Sequence, residues 1–218
     1  MNPASIQSSQ LLPALFRGVE DDQRLAVLHL GPARQDTLDF FSQRRCRLHI
    51  VDVFAELPLP AEEDTEHGLS AHLRDLLQLS GDTVFDVCLF WDLFNYLDAR
   101  ALRALLEALE PCLGKTTVAH GFSVHNPRSP DQGLVYGIND TDAISMRRRG
   151  RSIPGYRPHS QNRLLELLYC FRMERTVLLA DQRLEMLLRA RTGSEQRAPA
   201  GHTGRDDLIA AQIRKASA

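Results

Sequence analysis

At 218 residues, with 43% hydrophobic and 25% charged side chains, the chain has the composition of a globular domain of ordinary size, which excludes a disordered or fibrous protein. Its 26 basic and 28 acidic residues leave a net charge of −2, so no global field favours nucleic acid or an anionic membrane as a partner. The longest apolar stretch, Val84 to Leu97, is interrupted by Asp86, Asp92 and Asn95 and falls short of the roughly 20 apolar residues that span a bilayer. Met1 to Gln10 has neither a basic start nor an apolar signal core, and Cys46, Cys88, Cys112 and Cys170 are widely spaced; a cytoplasmic protein with reduced thiols is the expectation.

The first 23 residues read as an N-terminal extension. Leu25 to Leu30 forms a nearly continuous apolar run stopped by Gly31-Pro32, as in a strand buried on both faces. A helical segment from Asp36 (Leu38, Phe40, Phe41) leads to a second run, Leu48 to Val51, which ends at Asp52. Strand, helix, strand in this order is the signature of a parallel sheet. Phe54 to Thr65 turns to proline and acid and predicts a loop. Ser70 is the predicted cap of a helix carrying Leu69, Leu73, Leu76 and Leu77, which Gly81-Asp82 breaks.

Phe85 to Phe90 predicts another buried strand. Asp98 then caps a helix in which Leu102, Leu105, Leu106 and Leu109 fall at i, i+3, i+4 and i+7 before Pro111 ends the pattern. Thr116 to Ala119 predicts a short strand. From Gly121 to Pro158 the chain is polar and rich in turn residues, and is expected to be an insertion outside the core, placed to cover the carboxyl ends of the strands. Ser160 opens a further helix, and Arg172–Leu179 and Arg183–Arg189 flank Ala180-Asp181-Gln182 as an antiparallel hairpin. Residues 24–190 are thus expected to form one α/β domain with the insertion 121–158, and 191–218 a disordered tail.

This α/β order, doubly wound and mostly parallel with an antiparallel C-terminal hairpin, resembles the Rossmann-like fold of the class I S-adenosylmethionine-dependent methyltransferases over Leu25 to Arg189. Three landmarks carry the resemblance: Val27-Leu28-His29-Leu30-Gly31-Pro32-Ala33 at the glycine-loop position, Asp52 at the end of the second strand, and Phe85 to Asp92 at the fourth-strand position. The family's third strand has no counterpart. Glycines after the first strand let the backbone approach a nucleotide-like ligand. Here only Gly31 is retained: His29 stands where the family carries an acidic residue, Ala33 at the next small position and Gln35 at the last glycine, where its side chain could narrow the methionine end of a pocket.

The resemblance implies S-adenosylmethionine as cofactor, held by Gly31, Ala33, Asp52, Trp91 and Asp92, with Asp52 accepting from the ribose hydroxyls. Tyr96, Arg149 and Arg151 are candidates for holding the acceptor, the arginines through forked contacts to a carboxylate or phosphate. His120 and His125, expected on a loop after the fifth strand, are candidate bases for a hydroxyl acceptor. Asn95-Tyr96 lacks the double proline of amino-directed methyltransferases of nucleobases and amides. Asp140 and Asp142 have no further ligands at a recognised spacing, and no Cys-x-x-Cys pair exists, so no metal is expected. Two functions from different classes follow: a methyltransferase acting on a small-molecule or protein acceptor, or a catalytically inactive methyltransferase-like interaction or regulatory module. A hydrolase is disfavoured, because Gly121-Phe122-Ser123-Val124-His125 lacks the closing glycine of a nucleophile elbow. Acceptor and oligomeric state leave no mark in the sequence.

Overall fold

The computed structural model describes residues 4–17, 23–60, 66–79 and 82–191. Its centre is a six-stranded sheet in which β2 (Leu25–Leu30), β3 (Cys46–Val51), β4 (Phe85–Trp91) and β5 (Leu113–Val124) run parallel, followed by β8 (Phe171–Leu178) and β9 (Arg183–Ala190). The order is β3-β2-β4-β5-β9-β8. β9 is antiparallel to both β5 and β8, so β8 runs with the parallel strands and β9 alone is reversed. β3 is the edge, with no strand outside it among the described residues.

Continuous apolar strands arise because both faces are covered. Leu28, Leu30, Cys88 and Phe90 point toward α3 (Glu66–Leu76), α4 (Ala99–Leu109) and α5 (Gln161–Leu167). Val27, Leu89, Trp91 and Phe122 point the other way. There they meet α2 (Gln35–Ser42) and a three-stranded antiparallel sheet made of β1 (Ser5–Ser8), β7 (Ala143–Arg148) and β6 (Leu134–Asp140), with the short α1 (Leu12–Leu15) beside them. Among the described residues no helix is long and apolar enough to cross a membrane.

The helix signals hold unevenly. Asp98 caps α4 by accepting from Ala101 N at 2.8 Å, and Ser160 accepts from Arg163 N at the start of α5. Ser70 is not a cap: α3 begins at Glu66, which puts Ser70 inside the helix, buried beside Leu69 and Leu73. The expected short strand at Thr116–Ala119 is the middle of the twelve-residue β5. β5 continues because its polar side chains find partners inside: His120 Nε2 meets Glu185 Oε1 at 2.8 Å, leaving only its Nδ1 without one, and Ser123 Oγ reaches Asn95 Oδ1 at 3.5 Å. Gly121 lies so close to β4 that a Cβ there would stand 3.0 Å from the Trp91 carbonyl.

The segment expected to lie outside the core instead contributes to it. Residues 121–124 belong to β5, and Tyr136, Ile138 and Ile144 are buried against Trp91 and Phe122. The small sheet is fixed to α2 by polar contacts: Thr37 Oγ1 accepts from Ile138 N at 3.0 Å, Arg34 pairs with Asp36 at 2.6 Å, and Ser145 donates to Asp36. Gly137 is what admits this network, since a Cβ there would collide with Asp36 Oδ1 and stand 2.8 Å from Arg34 Nε. Gly137→Val is therefore expected to destabilise the fold by about 1–3 kcal/mol, the range for overpacking, read as a lower denaturation midpoint; an unchanged midpoint would show that this docking contributes nothing.

Candidate functional site

In an open α/β sheet, ligands bind beyond the carboxyl ends of the parallel strands. Here those ends bring together Gly31 after β2, Asp52 after β3, and Trp91, Asp92 and Tyr96 at and after β4. Trp91 adopts φ +51°, a left-handed conformation rare for a bulky side chain and characteristic of strained functional loops. It coincides with a register shift against β5 between Leu89 and Trp91. The indole that results is buried. A Cβ built on Gly31 would stand 3.3 Å from its Cδ1, His29 meets it edge-on at 5.5 Å, and Tyr136 from β6 stacks on it at 5.6 Å and 6°. The glycine-loop backbone thus approaches the protein's own indole.

Arg149, one residue past β7, enters the same crevice. Its guanidinium lies 4.0 Å over the Phe54 ring, with Nη2 3.5 Å from Asp92 Oδ1, and both charged side chains are more than nine-tenths buried. Burial pushes the Asp92 carboxyl up to about 7, opposed in part by Arg149. Asp52 is half-buried and also raised by burial, with Arg149, the Phe54 and Ala55 amides and Arg151 pulling the other way. Several enclosed polar atoms find no hydrogen bond here: Asp52 Oδ1, Asp92 Oδ1, Trp91 Nε1, Arg149 Nε and His29 Nδ1. Buried polar atoms are ordinarily paired, and these five lie at or beside the carboxyl ends of β2, β3 and β4.

The remaining candidates scatter. Ala33 is exposed in the glycine loop, and Arg151 is exposed near Asp52. Gln35 lines none of the described cavities: it is exposed and donates to Asp39 one turn along α2. His120 is not a loop base. It sits inside β5, fully enclosed beneath Trp91 and Phe122, and bonds to Glu185. His125 is exposed beyond the end of β5. His29 is enclosed too, and burial lowers it to about 4, so its neutral ring donates from Nε2 to the Pro32 carbonyl at 3.3 Å. Among the described residues no three His, Cys, Asp or Glu side chains gather to hold a metal ion.

Three residues of this region carried no sequence signal as site members. Phe54 platforms Arg149. Asp131 accepts from Tyr96 Oη and Gly133 N, both at 2.7 Å. Tyr136 caps Trp91. The period-two spacing of Leu134, Tyr136 and Ile138 could have announced β6, although nothing local could have placed it over Trp91.

No protein-family model matches the sequence, and no curated protein does. Solved structures do. A putative methyltransferase from Thermobifida fusca YX aligns with TM-score 0.50 and 11% identity over 84% of this chain and 79% of its own. The Burkholderia thailandensis 1,6-didemethyltoxoflavin-N1-methyltransferase, solved with 1,6-didemethyltoxoflavin and S-adenosylhomocysteine bound, aligns with TM-score 0.48 and 16% identity over 84% of this chain and 78% of its own. An S-adenosylmethionine-dependent methyltransferase from Clostridium acetobutylicum ATCC 824 aligns with TM-score 0.43 and 13% identity over 77% and 84%. The reversed β9 between β5 and β8, the crevice at the parallel strand ends and the alignment to the Thermobifida structure agree: the chain has the Rossmann-like fold of the class I S-adenosylmethionine-dependent methyltransferases.

Proposed function

We propose that the chain is a methyltransferase that takes S-adenosylmethionine at the crevice between Asp52 and Asp92 and passes the methyl group to a small-molecule or protein acceptor. The observation that carries this reading is the set of orphaned buried polar atoms at the ends of β2, β3 and β4, above all Asp52 Oδ1. A carboxylate at that strand end suits a pair of ribose hydroxyls, and a second carboxylate, Asp92, faces it across Arg149. When bound, S-adenosylmethionine supplies an electrophilic methyl group, and the protein's part is alignment of the acceptor. Arg149 is the movable member, because a cation placed against Asp92 competes with its ion pair.

A second reading has its own observation. Trp91 closes on Gly31 and Arg149 already lies between the carboxylates, an arrangement that would serve a catalytically inactive module with an internally filled crevice. Calorimetric titration separates the two. Asp52→Ala is expected to weaken S-adenosylmethionine binding about 10-fold to 150-fold, the worth of hydrogen bonds to a charged group. Arg149→Ala is expected to tighten it, and to do so more for the sulfonium than for uncharged S-adenosylhomocysteine. If wild type binds neither ligand at millimolar concentration while Arg149→Ala binds both, the filled-crevice reading holds; if neither protein binds, the methyltransferase reading falls.

A further inference from the structure

Beyond the carboxyl ends of β4 and β5, on the far side of Asp92 from Gly31, a cavity of about 20 Å³ opens between the strand ends and the segment before β6. Such a volume accepts one water-sized group. Phe122, Tyr136 and Tyr156 line it, together with three carboxylates, Asp92, Asp131 and Asp181, the last of them paired with Arg183. Both hydrogen bonds to Asp131 fall on Oδ1, and both donors, Tyr96 Oη and Gly133 N, are neutral. No arginine or lysine pairs with Asp131 among the described residues. Asp92 is more than nine-tenths buried; its Oδ1 accepts no hydrogen bond, and its ion-pair partner Arg149 stands 3.5 Å away, at a distance an ammonium could compete for. Arg183, a buried cation of the lining, is committed elsewhere: it pairs with Asp181 at 2.7 Å, donates to Gln7 and Tyr136, and lies over the Phe122 ring at 5.0 Å. The Phe122 and Tyr136 rings stack at 4.8 Å and give the cavity an apolar wall.

We propose that this cavity receives the protonated primary-amine head of a small organic molecule, with Asp131 and Asp92 accepting from the ammonium and the body of the molecule extending outward past Tyr156. The inference deepens the methyltransferase reading, and rests on it, in making that amine the methyl acceptor. In the transfer the ammonium gives its proton to Asp92. The freed nitrogen lone pair forms the N–C bond to the methyl of a sulfonium donor while the C–S bonding pair returns to sulfur, leaving a methylammonium and a thioether. Burial, which lifts Asp92 to about 7, makes it a better proton acceptor than an ordinary carboxylate.

Binding can be read without the methyl donor. Trp91 is the chain's only tryptophan, adjoins Asp92 and stacks on Tyr136, which lines the cavity, so its emission reports occupancy. Benzylamine is expected to give a saturable emission change and saturation-transfer NMR signals. Benzyl alcohol, its uncharged counterpart, should give neither at the same concentration, and Asp131→Asn should weaken benzylamine binding at least about 10-fold. Equal binding of the alcohol, or no response to benzylamine by either method, overturns the proposal. If Asp131→Asn fails to fold, the comparison of amine with alcohol on the wild-type protein decides alone. Amine binding without S-adenosylmethionine binding would keep this site and retire the methyltransferase reading, and the reverse outcome would do the opposite.

Discussion

Glu185→Ala is expected to destabilise the fold by about 1–3 kcal/mol, the cost of leaving a buried hydrogen-bonding group without its partner. Glu185 lies on β9 with no exposed surface, and its Oε1 accepts from His120 Nε2 on β5 at 2.8 Å and from Ser9 Oγ in the segment between β1 and α1. Burial alone would raise its pKa. The hydrogen bonds from His120 and Ser9 more than offset that and hold it below the usual value. Alanine would strand the His120 imidazole beneath Trp91, Phe122 and Leu187, and would free Ser9, whose Oγ also accepts from Leu12 N at 2.8 Å. The loss should therefore appear in two places, as a lower global denaturation midpoint and as faster amide exchange in residues 5–17. The double variant His120→Leu/Glu185→Leu is expected to recover much of the stability, because apolar residues of similar volume commonly replace a buried polar pair without loss. A midpoint for Glu185→Ala within about 0.5 kcal/mol of wild type, the scale of a surface substitution, would show the pair to be incidental.

The same pair shows where sequence reading stops. α4 was legible because four leucines at helical spacing stand between a capping aspartate and a proline, all within one turn or two of each other. β2 and β4 were legible because strands covered on both faces need no polar residues. β5 was legible only to Ala119, since His120 and Ser123 read as loop residues until their partners arrive from β9 and from Asn95. Ser70 misled for a related reason: a serine before a leucine run reads as a cap, whereas here it is buried inside α3. The strand-end residues Gly31, Asp52, Trp91 and Asp92 could be named from the resemblance to the methyltransferase fold, which fixes the strand ends at which they stand. What occupies the crevice could not, because Arg149 and Tyr136 reach it through a small sheet whose docking depends on tertiary contacts to α2. That sheet also enlists β1, within the stretch that reads as an N-terminal extension, by pairing it with β7.

Asp92→Asn is expected to reverse sign in its effect on stability between mildly acidic and mildly alkaline solution. Burial raises the folded-state pKa of Asp92 to about 7 from an ordinary 3.8, with Arg149 opposing and Asp131 adding to the rise. A raised carboxyl pKa stabilises the fold fully below the unfolded value, near 4, and that contribution is lost progressively as pH climbs to 7, because over this window the folded chain still holds a proton the unfolded chain has released; above 7 the loss is complete. At about 1.4 kcal/mol per unit the ceiling on the loss is on the order of 4 kcal/mol. Glu185 and Asp36 act oppositely, since both are held below their ordinary values and lose stabilisation as pH falls. The wild-type profile therefore mixes the two slopes, and only its difference from Asp92→Asn isolates this carboxyl. The variant should be less stable than wild type, or equal to it, at pH 5, and more stable at pH 8, in matched denaturant titrations. A difference that does not change with pH would place the Asp92 pKa near its ordinary value. The same ionisation changes the charge of the crevice by one: above about 7 Asp92 carries a negative charge that favours a cationic ligand. Affinity for S-adenosylmethionine should therefore rise with pH up to about 7 and level off above it, at most tenfold per unit, with Asp92→Asn flat across the range.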